Sequence, residues 1–175
     1  MDITIRKAAP EDTDSMYRVY HETWMATYPN KELGITETDI EEYIPKILSD
    51  SEREKRMIFI RDMPDNRCNF VAECDGRIVG VCGGVKADMS AQLKSIYVLP
   101  QYQGKGIGLK LWETFRSWTG KTPKFIVHVA TYNDNAIAFY KKIGFVDTGK
   151  LFTEERFKFK SGASIPETEM VLNHT

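Results

Sequence analysis

The sequence is poor in the residues that build metal centres and disulfide frameworks. Its 175 residues include three cysteines (Cys68, Cys74 and Cys82) and three histidines (His21, His128 and His174). The cysteines are odd in number and show no CxxC spacing, which fits small buried apolar residues in a reducing compartment. The histidines match no ligand spacing, so no metal is expected. An excess of positive charge is also missing: 24 Lys and Arg stand against 25 Asp and Glu, for a net charge of −1 and a pI near 6.3. That balance leaves no electrostatic footprint for nucleic acid. The small basic cluster Arg53, Lys55 and Arg56 is interleaved with Glu52 and Glu54 and reads as a solvated helix face. No apolar run approaches a membrane span, and Met1–Arg6 contains no apolar h-region. The expectation is a cytoplasmic protein with no membrane partner. With no linker, repeat or low-complexity stretch to divide it, the chain 1–175 reads as one domain.

What is present is clear periodicity. Residues 3–8 alternate as a strand. Pro10-Glu11-Asp12 then opens a helix, since proline suits a first turn and acids favour the positive end of the dipole. Thr36 or Thr38 can cap a second helix, with Asp39 or Glu41 at capping-box spacing. Its apolar residues run from Ile40 through Ile47 and Leu48, and Pro45 inside the run implies a kink or a break. Residues 50–56 read as a short helix or a loop, and 57–60 as a strand or a helix end. Asp75-Gly76 between two β-type runs is a hairpin signal. A strand over 91–98 ends at Pro100. Beyond it lie a helix with Ile107, Leu111, Phe115 and Trp118 on one stripe, a strand over 125–129, and a helix capped by Asn133 or Asp134 and ended by Gly144. Two strands, 146–152 and 168–172, finish the chain, with Gly162 marking the turn between them.

One segment points to a ligand. In Gln103-Gly104-Lys105-Gly106-Ile107-Gly108, glycines alternate with other residues between a strand and a helix. Glycines there permit a tight turn and close backbone approach to an anion, and the free N–H groups of the first helical turn favour negative charge. A diphosphate is the natural guest. A Walker loop would need Gly-Lys-Ser/Thr, but Gly108 is followed by Leu109-Lys110. A dinucleotide fingerprint would need glycine at 109, and the segment follows an antiparallel meander rather than opening a βαβ unit. On the glycines alone, a turn without a ligand is an equal reading.

With its neighbours, the segment resembles the acetyl-CoA motif of the GNAT acyltransferase superfamily, Gln/Arg-x-x-Gly-x-Gly/Ala, met here by Gln103, Gly106 and Gly108. The strand Leu93 to Pro100 resembles the one that enters that loop. A second block, Asn-x-x-Ala-x-x-Phe-Tyr-x-x-x-Gly-Phe, is matched by Asn133, Ala136, Phe139, Tyr140, Gly144 and Phe145. Two blocks in order are far more specific than either alone, and the resemblance covers nearly the whole chain. It implies an α/β (α+β) fold with a single mixed, mostly antiparallel central sheet of about six to seven strands flanked by about four helices.

The resemblance also implies roles. Acetyl-CoA is the co-substrate, with no metal. Backbone groups of Ile96, Tyr97 and Val98 pair with its pantetheine arm, and the amides of Gln103, Gly104, Lys105, Gly106, Ile107 and Gly108 hold its diphosphate. Asn133 contacts the arm. Tyr140 stands near the sulfur and returns a proton to the departing thiolate. The acceptor is a primary amine, from a polyamine-type small molecule to a protein N-terminus, and a homodimer is compatible with the family. Trp24 and Tyr28 read either as the acceptor side or as core. The base is unassigned: relatives often carry glutamate where this chain has Gln92, and an amide accepts a proton poorly. Glu22, Glu73 and Asp88 are the remaining candidates, each also readable as a solvated charge. A non-catalytic acetyl-CoA sensor and an unrelated nucleotide-binding domain are the rival classes.

Overall fold

The computed structural model describes residues 2–173. Met1 and His174, which figured in the readings of the N-terminus and of the histidines, lie outside the described residues.

Strand β1 (Ile3–Lys7) leads through a single 3-10 turn, Pro10–Asp12, into α1 (Thr13–Thr27). The acid at 12 serves the turn more than the helix dipole. Arg6 donates to both of its carboxylate oxygens, at 2.6 and 2.9 Å, and the Ala9 N–H donates to Oδ2 at 2.8 Å. Helix α1 continues through Trp24 to Thr27, so Trp24 stands in its last turn.

Helix α2 (Glu37–Tyr43) starts at a complete capping box. Asp39 N–H donates to Thr36 Oγ1 at 3.1 Å and Thr36 N–H donates to Asp39 Oδ2 at 2.8 Å. It ends sooner than its apolar run suggested. Ile44, held before Pro45, leaves the helical region at φ −129° and ψ 79°, as the proline ring requires. Ile47 is consequently 77% exposed while Leu48 is buried.

Residues 50–61 form a full helix, α3 (Asp50–Arg61), capped by Ser49 and Glu52. With it the described residues hold five α-helices, in keeping with the expected count of about four. None of its residues is fully buried, so the helix carries almost no apolar periodicity to read. Its start lies in the Ser-x-x-Glu box.

Seven strands form one sheet in the order β1-β2-β3-β4-β5-β7-β6. Strands β2 (Arg67–Cys74) and β3 (Arg77–Ala87) meet at Asp75-Gly76, whose φ values of +50° and +74° fit a tight hairpin. Strand β4 (Ser90–Val98) completes the meander. After it come α4 (Ile107–Thr119), β5 (Lys124–Ala130), α5 (Asp134–Lys142), β6 (Val146–Phe152) and β7 (Glu167–Asn173). Every neighbouring pair is antiparallel except β4–β5.

Helices α1 and α4 both pack on β3 and β4. Strand β3 is buried at seven consecutive positions, Ile78 to Gly84, as a strand covered on both faces must be. Gly84 sets how closely α4 approaches, because a Cβ there would lie 2.3 Å from Phe115 Cε2. A second cluster on the α1 side joins Trp24, Tyr28, Ile40, Phe157 and Ile165.

The β4–β5 seam positions the site. It holds only at Ala91–Phe125, Gln92–Ile126 and Leu93–Val127. The pairing of β4 with β3 then jumps from Gly84–Leu93 to Gly83–Ser95, leaving Lys94 as an extra residue. Such a bulge bends and twists its strand. Beyond it β4 and β5 diverge, and the sheet opens between them.

Candidate active site

The open edge belongs to Ile96 and Val98. Leu99 N–H donates to Val79 O at 2.9 Å, and backbone groups alternate sides along a strand. Leu99 and Tyr97 therefore turn their groups to β3, and Ile96 and Val98 turn theirs to the opening. Gln103 Nε2 donates to Val98 O at 2.9 Å, which leaves the Val98 N–H as a donor into the gap. Tyr97, expected to offer its backbone, reaches the site through its ring instead. It stands edge-on to Tyr20, and its hydroxyl lies 3.2 Å from that of Tyr28.

The glycine segment follows directly. Gly104 and Gly106 have φ of +73° and +80°, and Gly106 is the N-cap of α4. The first intrahelical bond runs from Lys110 N–H to Gly106 O at 3.1 Å. The N–H groups of Ile107, Gly108 and Leu109 thus have no partner within the helix. No protein atom comes within 4 Å of a Cβ built on Gly104 or Gly106, so the need for glycine is one of conformation. Lys105 turns back, its Nζ donating to Gln101 O at 2.9 Å and lying 5.1 Å from the Tyr102 ring centre.

Helix α5 brings in the second block. Asn133 Oδ1 accepts from Ala136 N–H at 3.1 Å. The oxygen is therefore a helix cap, and the side-chain NH2 is what remains for a ligand. Tyr140 is 5% exposed and packed edge-on against Phe139 and Phe145. Its hydroxyl interacts electrostatically with Tyr97 and with Tyr28, and burial holds its pKa well above 10. Trp24 and Tyr28 are buried, with Trp24 stacked on Tyr43 at 5.0 Å. They form the floor of the α1 side, where core and site coincide.

The three acids weighed as bases stand elsewhere. Glu22 pairs with Arg18, Glu73 accepts from Arg6, and Asp88 sits exposed in the β3–β4 turn. None of them lines either of two cavities on the α1 side. One of these, of about 30 Å³, is bounded by Tyr28, Gln92, Tyr97, His128, Glu154 and Glu167, among others. It has room for a single water. Gln92 Nε2 lies 3.2 Å from His128 Nδ1, and that nitrogen lies 3.0 Å from Glu154 Oε1. Arg156 Nε donates to Glu154 Oε2 at 2.6 Å. Burial disfavours the Glu154 carboxylate, but His128 and Arg156 outweigh it and hold its pKa below the usual value. Glu167 is the opposite case. It is 5% exposed, its Oε2 is buried without a partner, and burial, followed by the Glu154 charge, pushes its pKa up to about 7. Sequence reasoning missed Glu167. The i, i+2 spacing of Glu167 and Glu169 puts both on one face of β7, but nothing local shows that this face borders a cavity.

Among the described residues, no group of three or more His, Cys, Asp or Glu could hold a metal ion, and no helix is long and apolar enough to cross a membrane. All three cysteines are free and buried.

The model of the acetyltransferase (GNAT) family matches residues 14–145. An uncharacterised N-acetyltransferase of Archaeoglobus fulgidus is 29% identical over 113 residues, covering 62% of this chain and 68% of that one. The fold is shared with PaiA N-acetyltransferase from Thermoplasma acidophilum, solved in complex with coenzyme A: TM-score 0.75, 24% identity, 99% of this chain and 100% of that chain covered. It is also shared with spermidine N-acetyltransferase from Vibrio cholerae, solved in complex with CoA and spermine: TM-score 0.70, 21% identity, coverage 98% and 95%.

Proposed function

The chain belongs to the acetyltransferase (GNAT) family, and from that premise we propose that it moves the acetyl group of acetyl-CoA to a primary amine by direct attack within a ternary complex. The acceptor is a small-molecule amine or a protein N-terminus. The reading rests most heavily on one juxtaposition. The unpaired Ile96–Val98 edge runs straight into a helix start with free N–H groups, which suits a ligand that joins an amide-bearing arm to a diphosphate. The buried thiols fit a reducing compartment, and the cytoplasm is the proposed location.

The chemistry assigns a task to each group. The attacking amine must be neutral, yet an alkylammonium titrates near pH ~10.4. Glu167 would take its proton through a water held in the small cavity; a carboxyl that titrates near neutrality is well matched to that transfer. Nitrogen then bonds to the thioester carbon, and the Val98 N–H stabilises the oxyanion. The carbon–sulfur bond breaks, Tyr140 O–H gives its proton to the thiolate, and the second proton lost from the acylated, cationic nitrogen returns to the tyrosinate, leaving a neutral amide and a neutral Tyr140. A phenol with so high a pKa remains protonated, and so able to donate, throughout the working range.

The direct test is thiol release from acetyl-CoA over a panel of amines, with acetyl-CoA affinity measured in parallel. Turnover with at least one amine is expected. Tight binding without turnover on any amine would establish the non-catalytic sensor in its place.

A further inference from the structure

The larger of the two cavities, of about 320 Å³, is a groove between α1 and α3 with β2, β3 and β4 as its floor. Its volume falls in the range of small-ligand sites. Tyr17, Phe59 and Ile60 contribute apolar wall, and Asn69 and Ser95 contribute polar floor. Its charged residues are Arg56, Arg67, Lys94 and Arg156, and no Asp or Glu lines it.

Arg156 is neutralised by Glu154. Among the described residues, Arg56, Arg67 and Lys94 have no carboxylate within ion-pair distance. Arg53, one turn earlier on α3, pairs with both Asp14 and Asp50, whereas Arg56 sits 4.6 Å over the Tyr17 ring. Lys94, the bulge residue, has its pKa lowered by burial; the Glu154 charge opposes the shift, Arg156 and Arg67 add to it, and Glu167 opposes it more weakly. Arg67 and Lys94 repel one another, and an anion in the groove would relieve that repulsion.

The groove and the small cavity share a wall, since Lys94 and Arg156 line both. Glu154 and Glu167 line only the small cavity, and Arg56 and Arg67 line only the groove. Ser95 in the groove floor is two residues from Tyr97 at the splay. We propose that the acetyl acceptor is an amine bearing an anionic group, with the anion held by Arg56, Arg67 and Lys94 and the amino end directed toward Glu167 and the splay. The inference rests on the acetyl-transfer reading and names its substrate class. A polyamine, cationic along its length, would meet like charge in this groove.

The test uses the full chain with acetyl-CoA and paired acceptors. Amino acids and 2-aminoethylphosphonate would each be assayed beside the corresponding neutral ester, together with spermidine and a peptide with a free N-terminus. The anionic member of a pair is expected to exceed its ester at least tenfold in kcat/KM, and the carboxylate and phosphonate arms show which anion is preferred. In the double variant Arg67→Gln, Lys94→Gln that preference is expected to fall to near one through KM, with acetyl-CoA affinity unchanged. A preference for esters or spermidine, or a ratio unmoved in a folded double variant, overturns the proposal. Failure of the unaltered protein on every amine overturns the acetyl-transfer reading instead. The groove is then judged by calorimetric binding of 2-aminoethylphosphonate to the CoA-loaded protein, expected to be lost in the double variant; no binding to the unaltered protein overturns the anion site as well.

Discussion

In the proposed reaction Tyr140 and Glu167 carry opposite protonation tasks, and burial equips both. For Tyr140→Phe, kcat is expected to fall at least tenfold with acetyl-CoA affinity within about twofold, because the ring and its packing survive and only the donor is lost. An unaltered kcat would remove Tyr140 as the acid. Glu167 acts only when ionised, so kcat/KM should rise with pH through about 7, and Glu167→Gln should abolish that limb while lowering the plateau. The groups facing Glu167 are Glu154, Arg156 and Lys94, with His128 and Tyr97 on the same cavity wall. A limb that persists in Glu167→Gln would reassign it to one of these. The same residue links pH to stability. Its folded-state pKa lies above the ordinary value of 4.5, so its contribution is fully favourable below that value and is lost as pH rises through about 7. Glu167→Gln should therefore melt higher than the unaltered protein at pH 8, with the gap closing toward pH 5. Such a trade of stability for activity is what a working buried carboxylate would show.

At the scale of elements, legibility follows sequence distance. The hairpin at Asp75-Gly76, the box at Thr36 and Asp39, and the glycine start of α4 are each set by neighbours within four residues, and each is readable from the chain. Helix α3 is readable only as one of two alternatives, because it hides little apolar surface and so writes little periodicity. The groove and the carboxylate cavity are not readable. Positions 56, 67, 94 and 156, like 92, 128, 154 and 167, meet only through strand pairing and a bulge. The basic cluster at 53–56, read as a solvated face, splits in space: Arg53 is paired and Arg56 faces the groove. Two substitutions probe element starts. Thr36→Ala removes the α2 cap and should cost about 1 kcal/mol in denaturant unfolding. Gly106→Val places a β-branched residue at φ +80°, where it is strained. The turn should distort, weakening acetyl-CoA binding at least tenfold in a protein whose far-UV spectrum is unchanged. Equal affinity would detach the loop from the cofactor.

For the whole molecule, the decisive fact is that two half-sheets, β1–β4 and β5–β7–β6, are joined across only three residue pairs. A ligand laid along the Ile96–Val98 edge replaces the missing strand contacts and ties the halves together. Binding to the folded state alone stabilises by mass action, about 2.7 kcal/mol at a hundred times Kd. For a chain of this size each kcal/mol moves Tm by roughly 2–4 °C, so saturating acetyl-CoA should raise Tm by about 5–11 °C. The gain should be localised. Hydrogen exchange at the Ile96 and Val98 amides should slow sharply on binding, whereas the Tyr97 and Leu99 amides, already turned to β3, should change far less. ATP or NAD at the same concentration should produce neither effect. A shift produced equally by those nucleotides, or protection that fails to alternate along β4, would show that the glycine segment binds diphosphates without the arm that makes acetyl-CoA the donor.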